Sequence, residues 1–383
     1  VLVHEFGHYI TARWVGIKVE EFAIGMGPKI WGKKIKSAPP QDEIEYTVRA
    51  LPIGGYVKMY GQEDYDMESE NSFGSKKPSK RLIVLLAGVF MNLFLAIILF
   101  YAQGAHQDFK YRNLEGIVNG EFKPWFGDKT EPKVAIGEVT ETSPLKGKVN
   151  SFDIITKING EDYKVENFRQ IVEDNKGKEL TFDLLSYNST KTTQVKVTPR
   201  VEVPENEGPL GIAPLPISFI EFNGASKLFA GVGQSFNTIQ NFGFGIKQLV
   251  SKSFADNSIV PVADNVGGAI GIFEALNKII TAFGFWGVLE LAALFSINLA
   301  VFNILPIPAL DGGHVLFTLI EMISRKRLHA KVYNYLTIGG FVLLMGFMVF
   351  ITGLDLVKHT RVRDKLCPNE SREGFLCKLT DYR

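Results

Sequence analysis

Three stretches of this chain are long, apolar and nearly free of charge. Residues 82–101 carry none, residues 285–305 carry only Glu290, and residues 333–353 carry none. A bilayer needs about 20 apolar residues per helix, so each is predicted to span one. Residues 1–15 are also apolar, with Glu5 the only charge before Arg13. That is roughly half a span, and it is read as the end of a first membrane helix whose beginning precedes Val1. The pattern therefore predicts a polytopic α-helical membrane protein with four transmembrane helices, the first truncated here: 1–16, 82–101, 285–323 and 333–353.

The intervening segments follow other periods. In 17–81, Phe22-Ala23-Ile24-Gly25-Met26-Gly27-Pro28 reads as a glycine-rich turn. Glu43-Ile44-Glu45-Tyr46-Thr47-Val48-Arg49 alternates polar and apolar, as a strand with one apolar face does. Leu51-Pro52-Ile53-Gly54-Gly55 interrupts it and 56–60 resumes, which predicts a β-hairpin or small sheet. Residues 62–75 read as an acidic loop, and 76–81 as a basic stop before the second helix. Region 102–216 is polar and mixed. Within it, 134–199 has four strand-like runs, a turn signal at Asn159-Gly160 and a short amphipathic helix at 165–175, predicting a small β-rich domain. Region 217–284 is rich in Phe and Gly, and its 219–255 part is amphipathic enough to lie on a membrane surface. Residues 324–332 form a basic loop and 354–383 a polar tail.

Basic clusters before the second helix and at Arg325 predict that both loops face the cytoplasm. The 134–199 domain and the tail then fall outside. Of 383 residues, 42 are Lys or Arg and 41 are Asp or Glu, so charge gives no reason to expect a nucleic-acid partner. No signal peptide is visible. Cys367 and Cys377 sit close together in the tail, away from every histidine candidate, and could pair if the tail is extracytoplasmic.

The chemistry concentrates at His4-Glu5-Phe6-Gly7-His8. On a helix, His4 and His8 share a face and can bind one zinc, with Glu5 near enough to take a proton from a bound water. Composition alone produces such a pentapeptide in about one chain of this length in a hundred, so the reading needs a third ligand. A hydrolytic zinc takes three protein ligands and a water. Asp311 is a candidate: it follows the proline break of Asn303-Ile304-Leu305-Pro306-Ile307-Pro308-Ala309-Leu310, where broken backbone at membrane depth must line a cavity or be buried. Its plainer role is an N-cap for the helix that follows. Asn92, with Gly88 on one face of the second helix, is a candidate site-lining residue whose plainer role is helix packing.

These motifs, in this order, resemble the site-2 protease family of intramembrane zinc metalloproteases, most of all its bacterial regulator-of-sigma-E protease type. The likeness covers nearly all of 1–353. It implies one Zn2+ per chain held by His4, His8 and Asp311, with Glu5 activating water. It implies substrate contacts from Asn303 and Asn298. Residues 43–60 resemble the family's membrane-reentrant β-hairpin, and 134–199 a PDZ domain. The loop usual in PDZ domains is changed here to Ser143-Pro144-Leu145-Lys146-Gly147-Lys148-Val149. The resemblance implies hydrolysis of peptide bonds within or near transmembrane segments, in the bacterial inner membrane. Expected partners are the lipid bilayer and single-span membrane proteins, such as anti-sigma factors or signal-peptide remnants.

Two rivals remain. A soluble zincin would want a Glu or His soon after His8, and it leaves the apolar helices unexplained. A non-enzymatic scaffold or transporter subunit would hold a structural zinc with four protein ligands, His314 being a conceivable fourth.

Overall fold

The computed structural model describes residues 1–37, 43–62, 68–114, 122–186, 192–204, 207–255, 269–326 and 329–359. Cys367, Cys377 and the tail from 360 lie outside them, as do residues 63–67 of the acidic loop and Arg327 of the basic loop. Two compact units are present. One comprises Val1–Ile98 and the described residues from Ala292 onward; the other comprises Leu99–Leu291.

In the first unit, α1 (Leu2–Val15) ends where Gly16 turns left-handed at φ 81° and its N–H returns to the carbonyls of Ala12 and Arg13. Strands β1 (Val19–Lys36) and β2 (Glu43–Met59) pair antiparallel. Phe22 pairs with both Tyr46 and Val57, and Tyr46 pairs with both Phe22 and Lys33. Each long strand therefore folds back on itself, giving four segments in the order 29–36, 43–49, 19–24, 55–59. Residues 22–28, expected as a turn, lie within β1. The bends fall at Gly25 and Gly54, at φ 88° and 83°; a Cβ on Gly25 would also lie 2.5 Å from the Leu51 carbonyl oxygen. Ile44, Val57 and Met59 are buried against Ala12 and Val15 of α1 and Ile17 just beyond it, but the alternation expected over 43–49 breaks at its end, where Thr47 is buried and Val48 exposed. Each such side chain contributes about 1.5–3 kcal/mol when buried. Tyr9 also shares a 2.6 Å hydrogen bond with Tyr46, and Arg13 donates to the Tyr9 hydroxyl at 2.8 Å.

The apolar runs fold as expected into α2 (Pro78–His106), α5 (Ala269–Ile304) and α7 (Ala330–His359). Among the described residues, three helices are long and apolar enough to cross a membrane: Pro78–His106, Phe283–Ile304 and Lys331–Gly353. Helix α5 kinks at Gly284, where the apolar part begins. The lone charge of that run, Glu290, accepts a 2.7 Å hydrogen bond from Gln103 of α2. Arg81, read as the end of a basic stop before the second helix, is 1% exposed and paired with Glu321 on α6 (Asp311–Ser324).

The second unit contains a seven-stranded antiparallel sheet: β3 (Lys110–Leu114), β9 (Ile212–Glu221), β5 (Lys133–Val139), β6 (Ile154–Ile158), β7 (Leu180–Leu185) and β8 (Thr192–Val197) in that order, with β4 (Asp128–Lys129) also on β9. Asn159 and Gly160 both have positive φ, closing the tight turn their sequence signalled. Helix α3 (Val165–Asp174) lays Phe168 and Val172 on a core of Ile136, Ile155, Leu180 and Phe182. The stretch from 217, expected as a membrane-surface segment, begins as strand: β9 runs to Glu221 beside β3. A short 3-10 helix at Gly224–Phe229 and α4 (Ala230–Ala255) follow.

Candidate metal centre

Four helices and one break contribute residues to the site, and all of those residues lie in the first unit. Helix α1 brings His4 and His8 one turn apart, 4% and 5% exposed. Helix α5 stops at Ile304, and residues 305–310 carry the chain into α6. The reversal holds Ala309 at φ 80°, a left-handed conformation that costs a non-glycine residue about 1–2 kcal/mol. It places Asp311 at the first position of α6. Leu310, not Asp311, occupies the cap, and it makes no side-chain cap bond. The carboxylate points elsewhere: its Oδ2 lies 2.9 Å from His4 Nε2 and 3.2 Å from His8 Nε2, and the two nitrogens are 3.1 Å apart.

Those three atoms lie within 4.8 Å of one another, the one such group of metal-capable side chains among the described residues. A tetrahedral metal bound at 2.0–2.1 Å keeps its ligand atoms roughly 3.3 Å apart, so this triangle fits one ion with little movement. His314, the conceivable fourth ligand, is not in the group.

The surroundings orient the rings. His8 Nδ1 donates to the Val84 carbonyl of α2 at 2.8 Å, which leaves the Nε2 lone pair for a metal. The Asn92 amide, 1% exposed, lies 3.2 Å from His4 Nδ1. With a metal on Nε2, that Nδ1 carries hydrogen, and the oxygen end of the amide becomes its acceptor after a half-turn. Ser296 of α5 donates to the backbone carbonyl of Asn92 at 2.9 Å.

Two glycines allow the close approach. A Cβ on Gly88 would lie 2.5 Å from His4 Cε1 and from His8 Nε2, and one on Gly7 would lie 2.6 Å from the Ala87 carbonyl oxygen. Gly312 and Gly313 admit the chain's own break: their Cβ positions would meet the Leu305 and Ile307 carbonyl oxygens.

Glu5 accepts a 3.1 Å hydrogen bond from the backbone N–H of Val57, on the edge segment of β2. No spacing rule relates residues 5 and 57, so sequence reasoning missed this anchor. Asn303 reaches the centre, its amide nitrogen 3.1 Å from His4 Nε2. Asn298 stands half-buried on α5 and makes no hydrogen bond to His4, His8 or Asp311 among the described residues.

Known proteins resemble this chain along nearly all of its length. A Clostridium perfringens protein provisionally named a zinc metalloprotease is 34% identical over 93% of this chain and 95% of its own length. A Fusobacterium nucleatum protein with the same provisional designation is 34% identical over 94% and 95%. An Enterococcus faecalis protein named as the probable protease Eep is 27% identical over 93% and 96%. Residues 1–347 match the sequence profile of peptidase family M50, so the stretch that contains both histidines and the aspartate is covered end to end, and the chain belongs to that family, the site-2 proteases.

Proposed function

We propose that this chain is an intramembrane zinc endopeptidase in which His4, His8 and Asp311 hold one zinc and Glu5 moves the proton. The observation that carries the reading is the compact histidine–aspartate triangle, drawn from both ends of the chain beside a carboxylate held by a strand edge. Zinc, when bound, polarises the scissile carbonyl and brings the pKa of a water toward neutrality. Glu5 takes that water's proton and delivers it to the leaving nitrogen; such general base and acid work is worth about 10²–10⁴-fold. The Val57 N–H fixes which way the Glu5 carboxylate faces. Val84 and Asn92 keep both imidazoles in the tautomer that offers Nε2. Asn303 is placed to hydrogen-bond a substrate peptide group, and Asn298 serves the same path further along α5.

The substrates are single-span membrane proteins, cut within or near the membrane. A helical peptide bond is shielded, so the substrate unwinds and is held extended along the hairpin. The chain spans the bacterial inner membrane with α2, α5 and α7, α1 lies in it as a fourth membrane helix, and the 76–81 and 325 regions are cytoplasmic. Residues 134–199 form an extracytoplasmic PDZ-like domain; a groove of about 530 Å³ beside α3, lined by Phe168, Val172, Leu210 and Ile212, supports a peptide-docking role.

The test is a pair of variants. Glu5→Gln should keep about one zinc per chain while cleavage of a single-span substrate falls about 10²–10⁴-fold. Asp311→Asn should lose most of the zinc and all cleavage. Wild-type cleavage by Glu5→Gln, or full zinc in Asp311→Asn with normal activity, would sink these assignments.

A further inference from the structure

A cavity of about 480 Å³ opens between residues 56–59 of β2 and α7. His314, Tyr333, Asn334 and Thr337 also line it. His314 lies three residues after Asp311 on α6, hence on the same helix face. Its ring is held rigidly, stacked on Tyr333 with centroids 5.1 Å apart and edge-on to Phe317 at 6.2 Å. Neither ring nitrogen hydrogen-bonds to a described residue. Nδ1 is sealed from solvent without a partner, so Nε2 is the nitrogen left for a group that enters the cavity. Polar atoms enclosed this way are rare in folded proteins, because each costs about 1–3 kcal/mol.

The cavity adjoins the chemistry. Val57 lines it and also holds Glu5 through its N–H. Its polar lining is uncharged or already paired. Lys58 is bridged to Glu20 at 3.2 Å, and the Tyr56 hydroxyl donates to Glu21 at 2.8 Å. Thr337 donates to the Tyr333 carbonyl at 3.0 Å. The Asn334 amide, half-buried, makes no hydrogen bond to a described residue and faces the same space. A charged group entering here would find no free countercharge, and desolvating it would be costly. A neutral amide or hydroxyl would find free partners in His314 and Asn334. The volume holds a large side chain with its adjoining backbone.

We infer that this cavity is a specificity pocket, resting on the protease reading above, in which His314 and Asn334 receive a polar, uncharged side chain of the substrate residue beside the cleaved bond.

The experiment uses the full chain, zinc-loaded, in detergent. The probes are synthetic single-span peptides of about 20 apolar residues, identical except that one residue near the cut is Leu, Gln or Glu. Mass spectrometry locates the cut. At one position next to it, wild type should cleave the Gln peptide about tenfold or more faster than the Leu and Glu peptides, the worth of one or two buried hydrogen bonds. His314→Phe and Asn334→Leu should each cut that ratio toward one while zinc stays at about one per chain. Asn334→Leu leaves the His314–Tyr333 stack intact, so it decides the question if His314→Phe misfolds. An active wild type with no Gln preference, or folded variants that keep it, overturns the inference and leaves the protease reading standing. Equal losses on all three peptides in both variants assign a structural role and overturn it too. A zinc-loaded wild type that cleaves no peptide removes the protease reading and this pocket with it.

Discussion

The helices around the candidate metal centre and the β-rich domain of the second unit differ in what they bury and what they expose. Around the centre the inside includes polar side chains, His4, His8, Asn92, Arg81 and Glu321 all at most 5% exposed, whereas large apolar Phe90, Phe94 and Leu343 face outward at 57–67% exposure. In the β domain the inside is Ile136, Leu145, Ile155 and Phe182, and the outside carries pairs such as Lys196–Glu179. Where the surroundings are hydrocarbon, apolar burial gives no drive toward the interior, so packing and internal hydrogen bonds must set the arrangement. Where the surroundings are water, apolar burial does that work. The same substitution should therefore have opposite weight in the two places.

The largest expected break is at Gly88. An added methyl would sit 2.5 Å from both histidine rings, far inside contact distance. Gly88→Ala should push the rings off the α2 backbone, lower zinc below one per chain and abolish cleavage, with helix content unchanged by circular dichroism. Gly147 in the β domain has nothing within 4 Å of its Cβ position, although its φ of 74° is left-handed. Gly147→Ala should cost only the backbone strain, about 1–2 kcal/mol, and leave zinc untouched. Full zinc and activity in Gly88→Ala would mean the helices are not held at this separation.

Next comes Arg81. Its guanidinium is paired with Glu321 at 1–2% side-chain exposure, joining α2, which carries Gly88 and Asn92, to α6, which begins with Asp311. Arg81→Met strands a buried carboxylate and should cost about 3–5 kcal/mol. Arg81→Met with Glu321→Leu removes both charges and should recover most of that in a detergent melt. Equal melting of the single and double variants would deny the coupling. The water-facing counterpart, Lys196→Met, should give no measurable shift, since exposed pairs contribute little.

These contrasts follow which features the sequence could express. The apolar runs announced α2, α5 and α7, because length and the lack of charge are local properties. That His4, His8 and Asp311 come together was legible through motif chemistry and family likeness. The partners that finish the site were not: the Val57 N–H, the Val84 carbonyl and the place of Gly88 against the rings depend on helices and strands separated by up to about eighty residues of chain. Backbone groups leave no trace in residue identity. Arg81 looked like one more cation of the 76–81 run, since nothing local announces a carboxylate 240 residues away. Glycines misled at 22–28, where positive φ bends a strand instead of ending it.

The smallest expected effect lies in the β domain and depends on pH. Glu207 accepts hydrogen bonds from Arg200 at 2.6 Å, Thr142 at 2.9 Å and Thr140 at 3.0 Å. The Arg200 bond, with the threonine hydroxyls, holds its carboxyl below the ordinary value of 4.5 despite some opposing burial. The folded domain thus favours the charged form more than the unfolded chain does. Stability from these bonds is fully present above 4.5 and is lost as pH falls through the lowered folded value. Amide hydrogen exchange across β5 and β9, compared between wild type and Glu207→Gln, should show less protection in the variant at neutral pH. That gap should close as the pH drops below 4.5. Zinc content and cleavage at neutral pH should be the same in both, because this cluster ties one loop of the β domain to another and carries none of the centre's polar interior. A gap that stays constant down to acid pH would mean that shape and hydrogen-bond geometry, not the carboxylate's charge, hold the loop. The β domain would then rely on fixed polar geometry as the metal unit does, and the contrast between the two regions would narrow.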